Sequence, residues 1–194
     1  MDRVLGASPR LHKGKSLLCF PQDYVVIDIE TTGLSSCRNE IIELGALRVR
    51  DGEIRDSFSS LVKPLRRVDG FITALTGITN EMLTDAPKLR EILPDFMGFV
   101  GGDIVVGHNV NFDINFIYDA CAGLFLPPFS NDYVDTMRLS RLLFKSERRH
   151  RLSDLAERLG LDYEGAHRAL ADVLITQECL TQLRRYADRY HGLG

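Results

Sequence analysis

Residues 24–33, which read Tyr-Val-Val-Ile-Asp-Ile-Glu-Thr-Thr-Gly, constrain the fold of this chain more than any other stretch. Their apolar, largely β-branched run is typical of a buried strand, and the Thr-Thr-Gly that follows predicts a turn. Because side chains alternate between the two faces of a strand, Asp28 and Glu30 point the same way, roughly 7 Å apart. Two such carboxylates are costly to bury unless a cation lies between them. The segment therefore predicts a cation site or, alternatively, two acids that only end a strand and start a turn.

The composition indicates one globular domain without a disulfide framework. The chain has 194 residues, of which 44% are hydrophobic and 26% are charged, as is ordinary for a globular protein. Its four cysteines form no C-x-x-C pair, which argues against a zinc knuckle and suits a reducing cytosol. Apolar runs are shorter than the roughly 20 residues that cross a bilayer, and no signal-peptide core is evident. We therefore expect a cytoplasmic protein.

The charge distribution argues against a protein that wraps a polyanion over its whole surface. The formal net charge is −3, so any contact with nucleic acid should be local. One basic cluster stands out, and it consists of Arg138, Arg141, Lys145, Arg148, Arg149 and Arg151. This cluster is either a local contact for a nucleic acid or a solvated helix face.

The order of periodic segments predicts an α/β domain at residues 21–190, preceded by a flexible leader at residues 1–20. Five strands are predicted, at 24–30, 41–49, 54–62, 104–106 and 132–135. A hairpin turn is expected at Asp51-Gly52, and turns should fill residues 65–85. Five helices are predicted, at 87–99, 111–123, 136–144, 152–159 and 166–189. Pro94 should kink or split the first helix. The result is a mixed five-stranded sheet flanked by helices.

Three further residues are candidates for the site of Asp28 and Glu30. Asp113 follows the fourth predicted strand at the start of a helix, where an acid also favours the helix dipole. Asp172 lies inside the last predicted helix among small apolar residues, where a lone acid gains nothing from packing. His167 precedes Asp172 by five residues, or about 140° around a helix, so the two share a site only if His167 lies at or before the first turn. A histidine at a helix start is otherwise a surface or capping residue.

Three motifs, in this order, resemble those of DEDDh 3′→5′ exonucleases. They are Asp28-Ile29-Glu30-Thr31-Thr32-Gly33, His108-Asn109-x-x-Phe112-Asp113 and His167-Arg168-Ala169-Leu170-Ala171-Asp172. Within that family the chain looks like the proofreading exonucleases of bacterial replicative polymerases, namely the epsilon subunit and the exonuclease domain of the C-type polymerase. The resemblance covers about residues 22–185 and implies a ribonuclease H-like fold. Many epsilon-like members carry His-Gly where this chain has Thr76-Gly77, which looks more like the C-type domain.

The donor set itself suits hard divalent cations. Four carboxylates without a thiol favour Mg²⁺ or Mn²⁺ over zinc, and four negative charges match two such cations. The resemblance implies that Asp28, Glu30 and Asp172 hold the metal that carries the attacking water. It also implies that Asp28 bridges to a second metal, which Asp113 supports through water. His167, whose ordinary pKa lies near neutrality, is the expected general base.

The resemblance also implies where the substrate lies. The expected contacts are Thr31, Thr32, Gly33, Thr76, His108, Asn109 and Phe112, although Phe112 is equally a core candidate. The expected partner is the 3′ end of a single-stranded or frayed DNA, and a polymerase subunit is a further candidate.

The resulting hypothesis is a metal-dependent 3′→5′ exonuclease that releases nucleoside monophosphates from DNA in proofreading or repair. An RNA 3′-trimming exonuclease is the first alternative, because no residue can be assigned to reading the 2′-OH. A catalytically silent nucleic-acid-binding subunit is the second. The presence of all five motif residues argues against it.

Overall fold

A mixed six-stranded sheet forms the centre of the structure, a computed structural model that describes residues 10–163 and 168–191. Its strands are β1 (Ser16–Leu17), β2 (Tyr24–Thr31), β3 (Ile41–Arg50), β4 (Glu53–Leu61), β5 (Val105–Gly107) and β6 (Tyr133–Asp135). They lie in the order β1-β6-β5-β2-β3-β4. β3 pairs antiparallel with β2 and β4, whereas β2, β5, β6 and β1 pair parallel with one another. The α/β class and the mixed sheet are therefore confirmed.

Helices cover both faces of this sheet. They are α1 (Gly70–Thr76), α2 (Leu89–Val100), α3 (Asn111–Gly123), α4 (Thr136–Leu143), α5 (Leu152–Arg158) and α6 (Ala169–His191). Alternate residues of β2 face opposite layers: Ile27 packs in one cluster with α2 and α3, and Val26 in another with α4, α5 and α6. Burying one such side chain contributes about 1.5–3 kcal/mol, so β2 is anchored from both sides. Within residues 10–163 and 168–191, none of the helices is long and apolar enough to cross a membrane.

The predicted strands agree with β2 to β6 to within one residue at each end. At the hairpin between β3 and β4, Asp51 and Gly52 both have positive φ angles, 52° and 77°, as a type I′ turn requires. Pro94 does not split α2, which runs unbroken from Leu89 to Val100. The helix tolerates the lost backbone hydrogen bond because Leu93 and Phe96, on either side of Pro94, are both 0% exposed in the core.

Residues 65–85 contain one helix that the turn-rich sequence did not predict. α1 begins after Asp69, whose carboxylate accepts from the backbone N–H of Ile72 at 2.9 Å. It ends at Gly77, which adopts a left-handed conformation with φ of 70°. An N-terminal acid and a C-terminal glycine are the usual helix signals, but seven residues are too few to show a clear apolar period.

The predicted flexible leader is wrong for residues 10–20, which belong to the folded domain. Ser16 and Leu17 form β1 and extend the sheet beyond β6, so the sheet has six strands rather than five. Upstream, the Arg10 guanidinium donates to both carboxylate oxygens of Asp119 on α3, at 2.9 and 2.6 Å. Ser36, in the loop after β2, donates to the same carboxylate at 2.6 Å. A two-residue strand carries no periodicity, and a distant ion pair leaves no local pattern.

Arg10→Ala should lower the free energy of unfolding by about 1–3 kcal/mol, because it leaves the half-buried Asp119 carboxylate without its forked donor. Urea denaturation measures the change. Arg55→Ala is the matched control, since Arg55 pairs with Glu53 where both side chains are more than half exposed. The control should shift stability by no more than about 0.5 kcal/mol. Equal effects of the two substitutions would contradict a structural role for residues 10–20.

Candidate active site

Three carboxylates meet where β2 passes under the start of α6. Oxygen atoms of Asp28, Glu30 and Asp172 all lie within 4.8 Å of one another. The two β2 acids share the sheet face that α6 covers, and Asp28 lies opposite Gly45 on β3. A Cβ atom at Gly45 would come within 2.7 Å of the Ala169 backbone. The missing side chain thus lets α6 approach the sheet closely enough to bring Asp172 to the other two acids.

Asp113 is tied to the same strand from the other helical layer. β5 pairs with β2 only at Val25 and Val26, so β2 extends past its parallel neighbour. The backbone N–H of Ile29, in this extension, donates to the Asp113 carboxylate at 3.0 Å. Asp113 is only 4% exposed, and its place in the first turn of α3 fixes it against β2. Asp113 therefore borders the group of three acids without belonging to it.

Negative charge accumulates here without enough compensation. Burial raises the pKa of Asp28 well above its usual range, and the charges of Asp113, Asp172 and Glu30 raise it further. Burial, followed by Asp172 and Glu43, raises the pKa of Glu30 to about 8. Burial also raises the pKa of Asp113 to about 8, although its hydrogen bonds to backbone N–H groups oppose the shift. Cations at this position would relieve both the burial cost and the repulsion.

Tyr163 adds a contact that the sequence did not indicate. Its hydroxyl group donates to Oδ1 of Asp172 at 2.9 Å. Burial and the neighbouring carboxylates raise the pKa of Tyr163, so the phenol stays protonated and remains a donor. This bond orients the Asp172 carboxylate. A tyrosine nine residues before an acid has no recognisable spacing, so only the fold shows this pairing.

The turn after Glu30 is held by its own side chains. The Thr31 hydroxyl donates to the Gly33 carbonyl at 2.7 Å, and the Thr32 hydroxyl accepts from the Glu40 N–H at 2.9 Å. Asn39 also donates to the Thr32 carbonyl at 3.2 Å. These hydrogen bonds therefore give the turn beside Glu30 a fixed conformation. Substrate contact at residues 31–33 stays a prediction.

His108 has a bracing role that the motif alone did not reveal. Its Nδ1 lies 2.9 Å from the Thr136 hydroxyl at the start of α4, and its Nε2 lies 2.8 Å from the carbonyl of His150. Burial lowers the pKa of His108, so the ring is neutral near pH 7. Both ring nitrogens are thus engaged inside the protein. Asn109 is exposed, and Phe112 is half-buried with its ring 4.8 Å from that of Phe116, so both remain candidate substrate contacts.

Thr76 and His167 are the two remaining residues that were expected at this site. Thr76 is 0% exposed, and its hydroxyl donates to the Ile72 carbonyl at 2.9 Å and accepts from the Ile78 N–H at 3.1 Å. The expected contact between Thr76 and substrate is incompatible with this burial, because the side chain closes the end of α1. His167, the expected general base, lies outside the described residues, which resume at Arg168.

Comparisons with known proteins agree with this geometry. A family model described as Exonuclease (RNase_T) matches residues 25–180. The chain is 39% identical over 171 residues to the DNA polymerase III subunit epsilon of Aquifex aeolicus, covering 88% of this chain and 85% of that protein. It is 42% identical over 161 residues to the PolC-type DNA polymerase III of Clostridium perfringens, covering 83% of this chain. The match spans only 11% of that polymerase.

Solved structures show the same fold. Exonuclease X in complex with 5′ overhanging duplex DNA aligns with a TM-score of 0.66 and 27% identity, covering 86% of this chain and 92% of that one. Escherichia coli exonuclease I in complex with a dT13 oligonucleotide aligns with a TM-score of 0.75 over 87% of this chain and 42% of that one. Its identity is 18%, so this second likeness concerns the fold alone. The expected ribonuclease H-like architecture is confirmed.

Metal-free protein should become less stable as the pH rises from about 5 to about 8. The pKa values of Asp28, Glu30 and Asp113 are higher in the folded protein than in the unfolded chain. Over this pH range the folded protein therefore binds more protons than the unfolded chain, and its free energy of unfolding falls as the pH rises. We expect a loss of several kcal/mol by urea denaturation in EDTA, because each group with a folded pKa of about 8 contributes up to about 4 kcal/mol over this range. Asp28→Asn should flatten this dependence. A wild-type profile that rises over the same range, with no difference in the variant, would contradict the charge accumulation.

Proposed function

The chain belongs to the RNase_T exonuclease family, and we propose that it removes nucleoside monophosphates from the 3′ end of DNA with the help of divalent cations. One observation carries the proposal. Asp28, Glu30 and Asp172 converge within 4.8 Å, and Asp113 borders them from the next layer. The four acids come from three separate elements, and their mutual repulsion has no structural benefit in the absence of cations.

The donor atoms fit Mg²⁺ or Mn²⁺, because the group offers carboxylate oxygens only, and burial together with the neighbouring carboxylates raises the pKa of Glu30 to about 8. Asp28, Glu30 and Asp172 would hold one cation, and Asp28 and Asp113 would help to hold a second. When bound, such cations withdraw charge from the scissile phosphate and make a nearby water more acidic. His167 would take the proton of that water as the general base. The Tyr163 hydroxyl keeps one Asp172 oxygen oriented.

DNA is the substrate that the relatives favour. Proteins 39–42% identical to this chain are the epsilon subunit and PolC-type forms of DNA polymerase III. Proofreading beside a polymerase subunit in the cytoplasm is the context that we propose on this basis. Because the chain spans about a tenth of the PolC-type relatives, this context rests on the exonuclease segment alone.

An exposed basic loop offers a path for the strand. Arg148 and Arg149 are exposed in the loop between α4 and α5. The bond from His108 to the His150 carbonyl fixes this loop beside the turn that leads to Asp113. Arg138, by contrast, donates to the Ser16 hydroxyl at 2.7 Å and braces β1. The part of the cluster that suits a phosphate backbone is therefore the loop at residues 145–149.

The direct test is hydrolysis of a 5′-labelled single-stranded DNA with Mg²⁺, in parallel with an RNA of the same sequence. We expect stepwise shortening of the DNA, release of mononucleotides and complete loss of activity in EDTA. Asp28→Ala should lower kcat by roughly 10³-fold or more without lowering the melting temperature. Asp56→Ala removes an exposed acid of β4 and should retain full activity. Turnover in EDTA would refute the metal assignment, and faster hydrolysis of the RNA would refute DNA as the substrate.

Replacing both Arg148 and Arg149 with Glu should raise KM for DNA by about 10-fold or more at low salt and leave kcat nearly unchanged. The reason is that the substitutions remove phosphate contacts, so the salt dependence of KM should also flatten. The matched control replaces Arg184 and Arg185 on α6 with Glu, which changes the net charge by the same amount. An equal rise in KM for both variants would show that net charge, not the basic loop, determines binding.

A further inference from the structure

A buried ion pair joins β3 to the beginning of α6. Glu43 is 1% exposed, and its carboxylate receives the Arg168 guanidinium, with Nη2 at 2.7 Å from Oε1 and Nε at 3.1 Å from both oxygens. The backbone N–H of Ala169 donates to Oε2 at 3.0 Å. Both oxygens of Glu43 are thus occupied by donors from the first residues of the α6 region.

This pair is connected to the acidic group through a short chain of bonds. The carbonyl of Arg168 accepts from the backbone N–H of Asp172 at 3.0 Å, which is a helical bond of the first turn of α6. Glu43 lies directly opposite Glu30 in the β2–β3 register. One strand therefore holds the helical turn that carries Asp172 and lies beside the strand that carries the other two acids.

Gly45 sets the distance between the same two elements. It lies two residues after Glu43 on β3, so it faces the same side of the sheet, and it is opposite Asp28. An added Cβ atom would come within 2.7 Å of the Ala169 carbonyl carbon and 2.8 Å of its Cβ atom. The ion pair holds the start of α6 against β3, and the absence of a side chain at Gly45 leaves room for this close packing.

Stability alone is a poor reason for such a pair. Buried ion pairs often contribute no more than apolar residues of the same volume, because desolvation offsets the attraction. The pair is better explained by its effect on where the first turn of α6 lies. Arg168 also separates Glu43 from the free acids, because each of its two carboxylate oxygens accepts from Arg168 or from the Ala169 N–H. Glu43 is therefore a fifth acid of this region that does not compete for cations.

We propose that Glu43 and Arg168 form a positioning pair, which places Asp172 within ligand distance of Asp28 and Glu30 and thereby sets the affinity of the site for divalent cations. The inference rests on the proposed function, since it concerns the same cations. Neither residue contacts the reacting atoms. Their effect passes through the backbone of Arg168 and Ala169 to Asp172.

Direct Mn²⁺ binding by isothermal titration calorimetry tests the proposal on the full chain. Glu43→Gln keeps the shape of the side chain but removes its charge, and it should weaken Mn²⁺ binding about 10–100-fold, as losing a supporting contact of a ligand does. In the exonuclease assay, the Mn²⁺ concentration for half-maximal rate should rise by the same factor. KM for DNA at saturating Mn²⁺ should stay within about two-fold, and kcat should recover there.

Asp103→Asn is the matched control, because it breaks the ion pair between Asp103 and Arg50 at the other end of β3. This control should bind Mn²⁺ as the wild type does. Should Glu43→Gln fail to fold, Arg168→Lys provides the test, since lysine keeps the charge but not the forked geometry. We expect it to weaken Mn²⁺ binding about 10-fold.

The outcomes separate this inference from the proposed function. Wild-type protein that neither binds Mn²⁺ nor hydrolyses DNA would overturn the proposed function itself. Wild-type protein that does both, together with a folded Glu43→Gln or Arg168→Lys that binds Mn²⁺ equally well, would overturn only the positioning role. A loss of melting temperature without a change in Mn²⁺ affinity counts against the proposal in the same way, because it indicates a purely structural ion pair.

Discussion

Repulsion between carboxylates that cannot move apart is the constraint on which the rest of this structure depends. Asp28 and Glu30 are fixed on a strand that is packed between two apolar layers, so the strand cannot move to separate them from the other acids. Asp172 approaches from α6, and Asp113 is attached to the strand through the Ile29 amide. The two apolar layers supply the free energy that holds this arrangement together. The packing of the core thus keeps carboxylates close together that would separate in water.

Much of this arrangement follows from local sequence patterns. The alternation along β2 places its two acids on one face, and an acid within an apolar helix identifies Asp172 as exceptional. The Asp51-Gly52 turn makes β3 and β4 antiparallel neighbours, because a two-residue type I′ turn joins only such strands. These features depend on residues a few positions apart, which is why β2 to β6, most helices and the meeting of Asp28, Glu30 and Asp172 were predictable.

The features that escaped prediction depend on residues far apart in the chain. β1 is recognisable only by its pairing with β6, and Glu43 is separated from Arg168 by 125 residues. The resemblance implied that Thr76 contacts the substrate, yet it is buried at the end of α1. Sequence patterns report which face of an element a residue occupies. They do not report which distant group meets that face.

One imidazole links the two sides of the site mechanically. His108 bonds at once to the start of α4 and to the loop before α5, and five residues later the chain reaches Asp113. A fluctuation that displaces the basic loop must therefore break a hydrogen bond worth about 1 kcal/mol or carry the turn with it. The basic loop and Asp113 consequently keep a fixed position relative to each other. A polymer that is shortened by one monomer at a time would therefore find the same distance between the basic loop and the acids at every step.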